Sequence, residues 1–158
     1  MLSKLQDLDH LDFLIIEHLA ANARVTWTEL SAQLGLSAPA ITERVRKLEE
    51  HGVIRGYTVL LEPEALDCGL LAFIAVQITD TKSRKTFLER IKTMPEVLEC
   101  HHMSGDDDYW LKIRCADTKA LEKIVTENLK SISSGIKTRT SIALTSFKDS
   151  PNLPLGGM

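Results

Sequence analysis

The chain has 158 residues, 44% hydrophobic and 26% charged, enough for one ordinary domain or two small ones. No apolar run approaches the roughly 20 residues of a membrane span, and Met1–Asp7 lacks the charged-then-apolar order of a secretion signal, so a cytoplasmic protein with no membrane partner is expected. The formal net charge of −3 excludes a broadly basic surface of the kind that grips nucleic acid without regard to sequence, and leaves any such role to local pattern.

From Leu8 to His51 the apolar residues recur at helical spacing, with Leu8, Leu11, Ile15 and Leu19 in one stripe that Leu14 and Ile16 widen. Thr26-Trp27-Thr28-Glu29 matches a capping box, in which threonine and glutamate satisfy each other's free backbone donors. A short helix through Leu30 and Leu34 follows, and Gly35 breaks it. Ser37 can cap a third helix with Pro39 tolerated in its first turn; Ile41, Val45 and Leu48 would be its buried side and Gly52 its stop. Only Leu34–Ser37 separates the last two helices, the spacing of a helix-turn-helix. Val53–Leu61 reads as extended chain, ended by Glu62-Pro63-Glu64. Residues 1–62 are therefore expected to form the helical domain with its linking strand, and 63–69 a hinge.

The second half alternates strands and helices. Leu70–Thr79 is a predicted strand and Lys82–Thr93 a helix carrying Phe87, Leu88 and Ile91; Met94-Pro95-Glu96 breaks it. Val97–Met103 and Tyr109–Ala116 are strands joined across Ser104–Asp108. Asp117 can cap a helix bearing Leu121, Ile124, Val125 and Leu129, and Ile136–Lys148 is the last strand. The order βαββαβ is the ferredoxin-like motif, giving an α+β chain with this domain over 70–149 and a flexible tail at 150–158. Along the first strand Ala72, Ile74, Val76 and Ile78 share one face and Leu71, Phe73 and Ala75 the other. Both helices cover one face in this topology, so the other apolar face calls for a partner sheet, and at least a homodimer is expected.

With Ile41, Val45 and Leu48 turned inward, the outward residues of the third helix are Ala38, Ala40, Thr42, Glu43, Arg46 and Lys47. A helix of this kind fits the major groove of double-stranded DNA, and its N-terminal residues reach base edges. Ser37, Pro39 and the helix start lie where backbone donors meet a phosphate. Arg46 and Lys47 suit phosphates or guanine, and Glu43 can accept from cytosine. Arg44 flanks the buried stripe and is set aside as a partner for an acid such as Asp12. The same geometry also serves protein-interaction modules, in which these charges are simply solvated.

Leu8-Asp9-x-x-Asp12-x-x-Ile15, Arg24, Glu29-Leu30-Ser31, Gly35-Leu36-Ser37, Arg44-Val45-x-x-Leu48-Glu49 and Gly52-Val53-Ile54-x-Gly56-Tyr57 together resemble the opening of the leucine-responsive/AsnC (feast/famine) regulators. Pro95-Glu96-Val97 and Ser104-Gly105-Asp106-Asp107-Asp108-Tyr109 extend the resemblance over all but the last ten residues. It implies a winged helix-turn-helix, a linking strand and an αβ-sandwich that binds an amino acid or a related small effector between dimers. It also implies further assembly, to an octamer. Carried over, the effector residues are Gly105, Asp106, Asp107, Asp108 and Tyr109, with Thr138 and Thr140 on one side of the last strand. Ala23 replaces a common glycine before Arg24, and two further departures from the family pattern bear on the effector. Asp107 replaces an aromatic or apolar residue and favours a cationic group on the effector, and Trp110 replaces a smaller aliphatic and narrows the pocket.

No cofactor or metal is expected. Cys68, Cys100 and Cys115 make an odd set without a C-x-x-C pair, and strand alternation sends Cys100 and His102 to the face opposite His101. The adjacent carboxylates of Asp106–Asp108 shape a turn or bind an amine more readily than they converge on an ion. No Ser-His-Asp set or phosphate-binding glycine loop is present, so a non-enzyme is expected. The alternatives are an enzyme resembling the sirohaem decarboxylases, which share this scaffold and for which His101 and His102 would matter, or a DNA-inert partner subunit.

Overall fold

The computed structural model describes residues 8–155. The N-terminal heptapeptide read for a secretion signal and the last three residues of the tail lie outside them. The described residues divide into two compact units, one running to Leu60 and including the tail from Ser150, the other Leu61–Asp149.

The first unit holds α1 (His10–Ala21), α2 (Trp27–Leu34) and α3 (Ala38–Glu50). Each helix starts where a side chain takes over free backbone donors. Asp9 and Asp12 form a capping box at α1, Thr26 and Glu29 another at α2, and Ser37 accepts from the Ala40 amide at 3.4 Å. Gly35 ends α2 in the left-handed conformation (φ 66°), where a side chain is disfavoured by roughly 1–2 kcal/mol. The core is Ile15, Leu19, Leu30, Ile41, Val45 and Leu48, with Leu8, Ile16 and Leu34 packed against it; of the stripe expected on α1, Leu11 and Leu14 are only half-buried and lie outside this core. Residues 55–62 form neither helix nor ladder within one chain, and Tyr57, Val59, Leu60 and Leu61 are exposed.

The second unit is one antiparallel sheet in the order β2-β3-β1-β4. Its elements are β1 (Leu70–Ile78), α4 (Ser83–Lys92), β2 (Val97–His102), β3 (Tyr109–Cys115), α5 (Thr118–Lys123) and β4 (Ile136–Ile142). Past Lys123 the α5 helix widens into a π turn, Ile124–Leu129, before a short 3-10 turn at Lys130–Ile132. Asp117 caps α5 through the Ala120 amide at 2.7 Å. The fold class is the one the sequence implies. The last strand is shorter than the expected Ile136–Lys148. The Ala143 amide donates to Leu71 O, and β1 begins at Leu70, so no partner strand remains for the residues beyond.

Alternation divides the sheet cleanly. Ala72, Ile74, Val76 and Ile78 join Phe87, Ile91, Leu121, Ile124 and Leu129 in one core, so both helices cover that face. On the other face Leu71 and Ala75 are buried within the chain, while Phe73 is 38% and Trp110 44% exposed. The surrounding positions there, Gln77, Glu99, His101 and Arg139, are polar and exposed. This open face is mixed, with an aromatic centre, rather than uniformly apolar.

Candidate nucleic-acid interface and effector loop

The amphipathic pattern of α3 fixes which residues it can present. With Ile41, Val45 and Leu48 buried, the side chains of Ser37, Pro39, Thr42, Glu43, Arg46 and Lys47 are exposed, and Ala38 and Ala40 are half-buried. Every sequence-predicted contact residue therefore lies on or beside one accessible face of one helix. The free amides of its first turn point the same way as any helix start, toward an incoming anion.

The cations of this helix are all engaged. Arg44 Nη1 lies 2.7 Å from Asp12 and 2.8 Å from Asp9, so it ties α3 to the capping box of α1, as its position beside the buried stripe suggests. The Asp12 carboxylate is its main reason for holding its proton more tightly than a free arginine. Asp9 is held below the ordinary carboxylate range, first by the Asp12 amide and then by Arg44, while burial pushes the other way. Arg46 is gripped from two sides. Its Nε and Nη2 donate to Glu43 at 3.0 and 2.7 Å, and its Nη1 pairs with Glu50 one turn on. Lys47 is 3.7 Å from Glu43. Glu43 is lowered in pKa chiefly by Arg46. Just past the helix Tyr57 donates to Glu49 at 2.9 Å, and its phenol is pushed up to about 12 by burial and by that carboxylate.

In the second unit, Gly105–Asp108 turn the chain from β2 into β3, with Gly105 at φ 137°, a conformation open to glycine and strained for other residues. The three aspartates diverge. Asp106 accepts from Gln77 through its backbone carbonyl at 3.3 Å. Asp107 pairs with Arg139 at 2.8 Å and accepts from Trp110 Nε1 at 3.4 Å. Asp108 accepts from the Ile78 amide at 2.7 Å and from Arg84 at 3.0 Å. The cation that the extra carboxylate calls for is thus supplied within the chain, by Arg139. Among the described residues no three His, Cys, Asp or Glu side chains are grouped to hold a metal.

Tyr109 is buried, 5.2 Å from Phe87 and 5.1 Å from His102 between ring centroids, with the Arg84 guanidinium 5.9 Å from its ring. Val76 pairs with Tyr109 on one side and Thr138 on the other, so these three share a row on the helix-covered face, spanning about 9–10 Å at ordinary strand spacing. Thr140 is on that same face, opposite Ile74. Asp107 and Trp110 instead join Arg139, which is opposite Ala75 on the open face. Loop and last strand therefore meet twice, once on each side of the sheet. Trp110 lies on the open face and packs beside the ion pair. His101 pairs with Glu99 at 3.1 Å on that open face, opposite in direction to Cys100 and His102.

Sequence reasoning missed Arg84 and Arg139. Arg139 was within reach of strand parity, since it alternates with Thr138 and Thr140. Arg84 contacts a residue 24 positions away, and no local spacing announces that.

Two family profiles match the chain. One described as Winged helix-turn-helix DNA-binding covers residues 8–55, and one described as Lrp/AsnC ligand binding domain covers 71–153. The Leucine-responsive regulatory protein of Escherichia coli (strain K12) is 40% identical over 152 residues, spanning 94% of this chain and 92% of that protein. Among solved structures, a transcriptional regulator from Neisseria meningitidis in complex with L-methionine superposes with a TM-score of 0.88 at 35% identity, over 94% of this chain and 97% of that one. The feast or famine regulatory protein of M. tuberculosis complexed with L-methionine gives 0.85 at 33%, over 92% and 98%. AsnC of E. coli gives 0.84 at 28%, over 92% and 97%. With both halves matched in order and nearly end to end, the chain belongs to the Lrp/AsnC family of DNA-binding transcriptional regulators.

Proposed function

We propose that α3 reads double-stranded DNA through Ser37, Ala38, Pro39, Ala40, Thr42, Glu43, Arg46 and Lys47, and that an amino acid bound at the Gly105–Tyr109 loop and the Thr138–Thr140 strand sets assembly or DNA affinity. The observation that carries the reading is the division of α3 into a buried apolar side and an exposed side holding that residue set. On this reading residues 1–62 are the DNA-binding part with its linking strand, 63–69 a hinge, 70–149 the effector and assembly domain, and 150–158 a tail. The protein is a regulator rather than an enzyme, and works in the cytoplasm where its DNA is.

The open sheet face supports a homodimer, because Phe73 and Trp110 would lose their water contact against a second copy of the sheet. Two copies of α3 would then enter successive major grooves about 34 Å apart, and further assembly, to an octamer, would let DNA bend around the particle. L-Methionine in the bound structures of two relatives makes an uncharged amino acid the first effector to try, ahead of the cationic one that Asp107 suggests by itself, since Arg139 already answers that carboxylate. An effector acts only through different affinities for two states. The test is a DNA titration at fixed salt with and without single amino acids. A change in midpoint or particle size with one of them supports the reading, and a flat response to all twenty removes the effector half of it.

A further inference from the structure

A protein of net charge −3 has to find its site among a large excess of other DNA, and the way α3 holds its cations bears on how it does so. The helix carries three basic residues, Arg44, Arg46 and Lys47, and three acidic ones, Glu43, Glu49 and Glu50. Arg44 is committed to Asp9 and Asp12 and Glu49 accepts from Tyr57. Arg46 and Lys47 are left to meet DNA, and Arg46 is held by Glu43 and Glu50 together. Glu50 is an odd residue for its place. It ends the helix, where the macrodipole disfavours an anion, and its side chain is exposed. What it does touch is the guanidinium of Arg46.

We propose that Glu50 is a specificity-determining residue of the reading helix: together with Glu43 it holds Arg46 in one orientation and away from the phosphates of arbitrary DNA. The proposal rests on the assignment of Arg46 as a DNA contact. On a random duplex the base edges do not match and the phosphates are the common partner; they compete with two carboxylates for one guanidinium, so little counterion release is gained. At a matching site the oriented Arg46 and the neighbouring Thr42 and Glu43 meet base edges, and the contacts offset the repulsion between Glu50 and the backbone. Glu50 thus acts against wrong sequences more than for the right one, which is how a difference of affinities is built.

The experiment compares the full-length parent, Glu50→Ala, Arg46→Ala and the double variant on two probes, a random-sequence duplex and a duplex selected from a random library by the parent protein, each over a salt series. Glu50→Ala is expected to tighten random-duplex binding on the order of two- to fivefold, in keeping with the modest worth of exposed ion pairs. Its random-duplex salt slope should steepen by about one, with a smaller change on the selected duplex and hence a lower specificity ratio. In the Arg46→Ala background that gain should vanish. Unchanged random-duplex affinity and slope in Glu50→Ala, beside a defective Arg46→Ala, would overturn the proposal and leave the reading helix intact. A gain that persists in full without Arg46 would also overturn it, as bare phosphate repulsion. Normal binding by Arg46→Ala would remove the contact assignment itself, and the proposal with it.

Discussion

The Arg44 guanidinium and the Asp12 carboxylate meet at 2.7 Å across 32 positions of sequence, and Asp12 belongs to the capping box that starts α1. One ion pair therefore joins the start of the first helix to the middle of α3 and fixes how the two helices meet. Arg44→Ala leaves a largely buried carboxylate short of its strongest donor, and should destabilise the helical unit by roughly 1–3 kcal/mol in a urea titration. Arg44→Lys should recover only part of the loss, because an ammonium cannot hold Asp9 and Asp12 with a planar fork. Full stability in Arg44→Ala would mean that the hydrophobic core alone fixes α3.

The neighbouring pair of Arg44 with Asp9 has a pH signature. Asp9 lies below its ordinary value of 3.8, first because of the Asp12 amide and then because of Arg44. A carboxylate lowered in the folded state contributes stability that is present above the unfolded value, and loses it as pH falls through the lowered folded one. The contribution should therefore be complete above about pH 4 and disappear only in stronger acid. Carbon-detected NMR titration should find Asp9 moved part of the way back up in Arg44→Ala, since the backbone donor remains. An unmoved Asp9 would remove Arg44 as a cause.

Arg46→Ala and Lys47→Ala should weaken DNA binding, Arg46 by roughly 1–3 kcal/mol if it reads a base edge and Lys47 more evenly across sequences. Light scattering should show assembly unaltered in both. Two silent variants in a binding titration would put the reading face elsewhere.

Asp107 and Arg139 form an exposed pair on the open side of the sheet, and exposed pairs contribute about 0–1 kcal/mol. Asp107→Ala should therefore leave the melting temperature nearly unchanged while altering the response to amino acids more than the contact with DNA. If ligand selectivity in the variant matches the parent, Asp107 is no part of the effector site.

Asp108 behaves differently from its neighbour. It holds the Ile78 amide and Arg84 at once, so it pins the loop to the end of β1 and to α4. Asp108→Ala should cost roughly 1–3 kcal/mol and speed hydrogen exchange at the Ile78 amide, whereas Asp108→Asn retains an acceptor and should cost less. An effector defect in Asp108→Ala without faster exchange would assign it to direct ligand contact instead.

The division between what the sequence made legible and what it did not follows the range of the interactions. Thr26 with Glu29, Ser37, Asp117 and Gly35 are signals written within three or four residues, and each cap and stop formed where its spacing placed it. The alternation of Ala72–Ile78 likewise fixed both faces of the sheet. The end of β4 was less legible, because Thr145–Lys148 suits a strand locally and ends only because β1 runs out of backbone partners. In the candidate effector loop three consecutive aspartates look alike in sequence. Their separate roles come from Gln77, Arg139 and Arg84, none of them a near neighbour. On α3 the outward positions could be read from periodicity, but the double grip on Arg46 depends on rotamers that spacing permits without requiring.

The most direct measurement is selection of bound duplexes from a random library, followed by titration of the purified protein onto the winner over a salt series, alone and with L-methionine, with particle size followed in parallel. The expected result is an enriched, two-fold related pair of half-sites, salt-dependent binding well above the random-duplex level, and a shift in affinity or size with an amino acid. A particle that assembles normally yet enriches no sequence would contradict it, and would leave this chain as a partner subunit that does not read DNA.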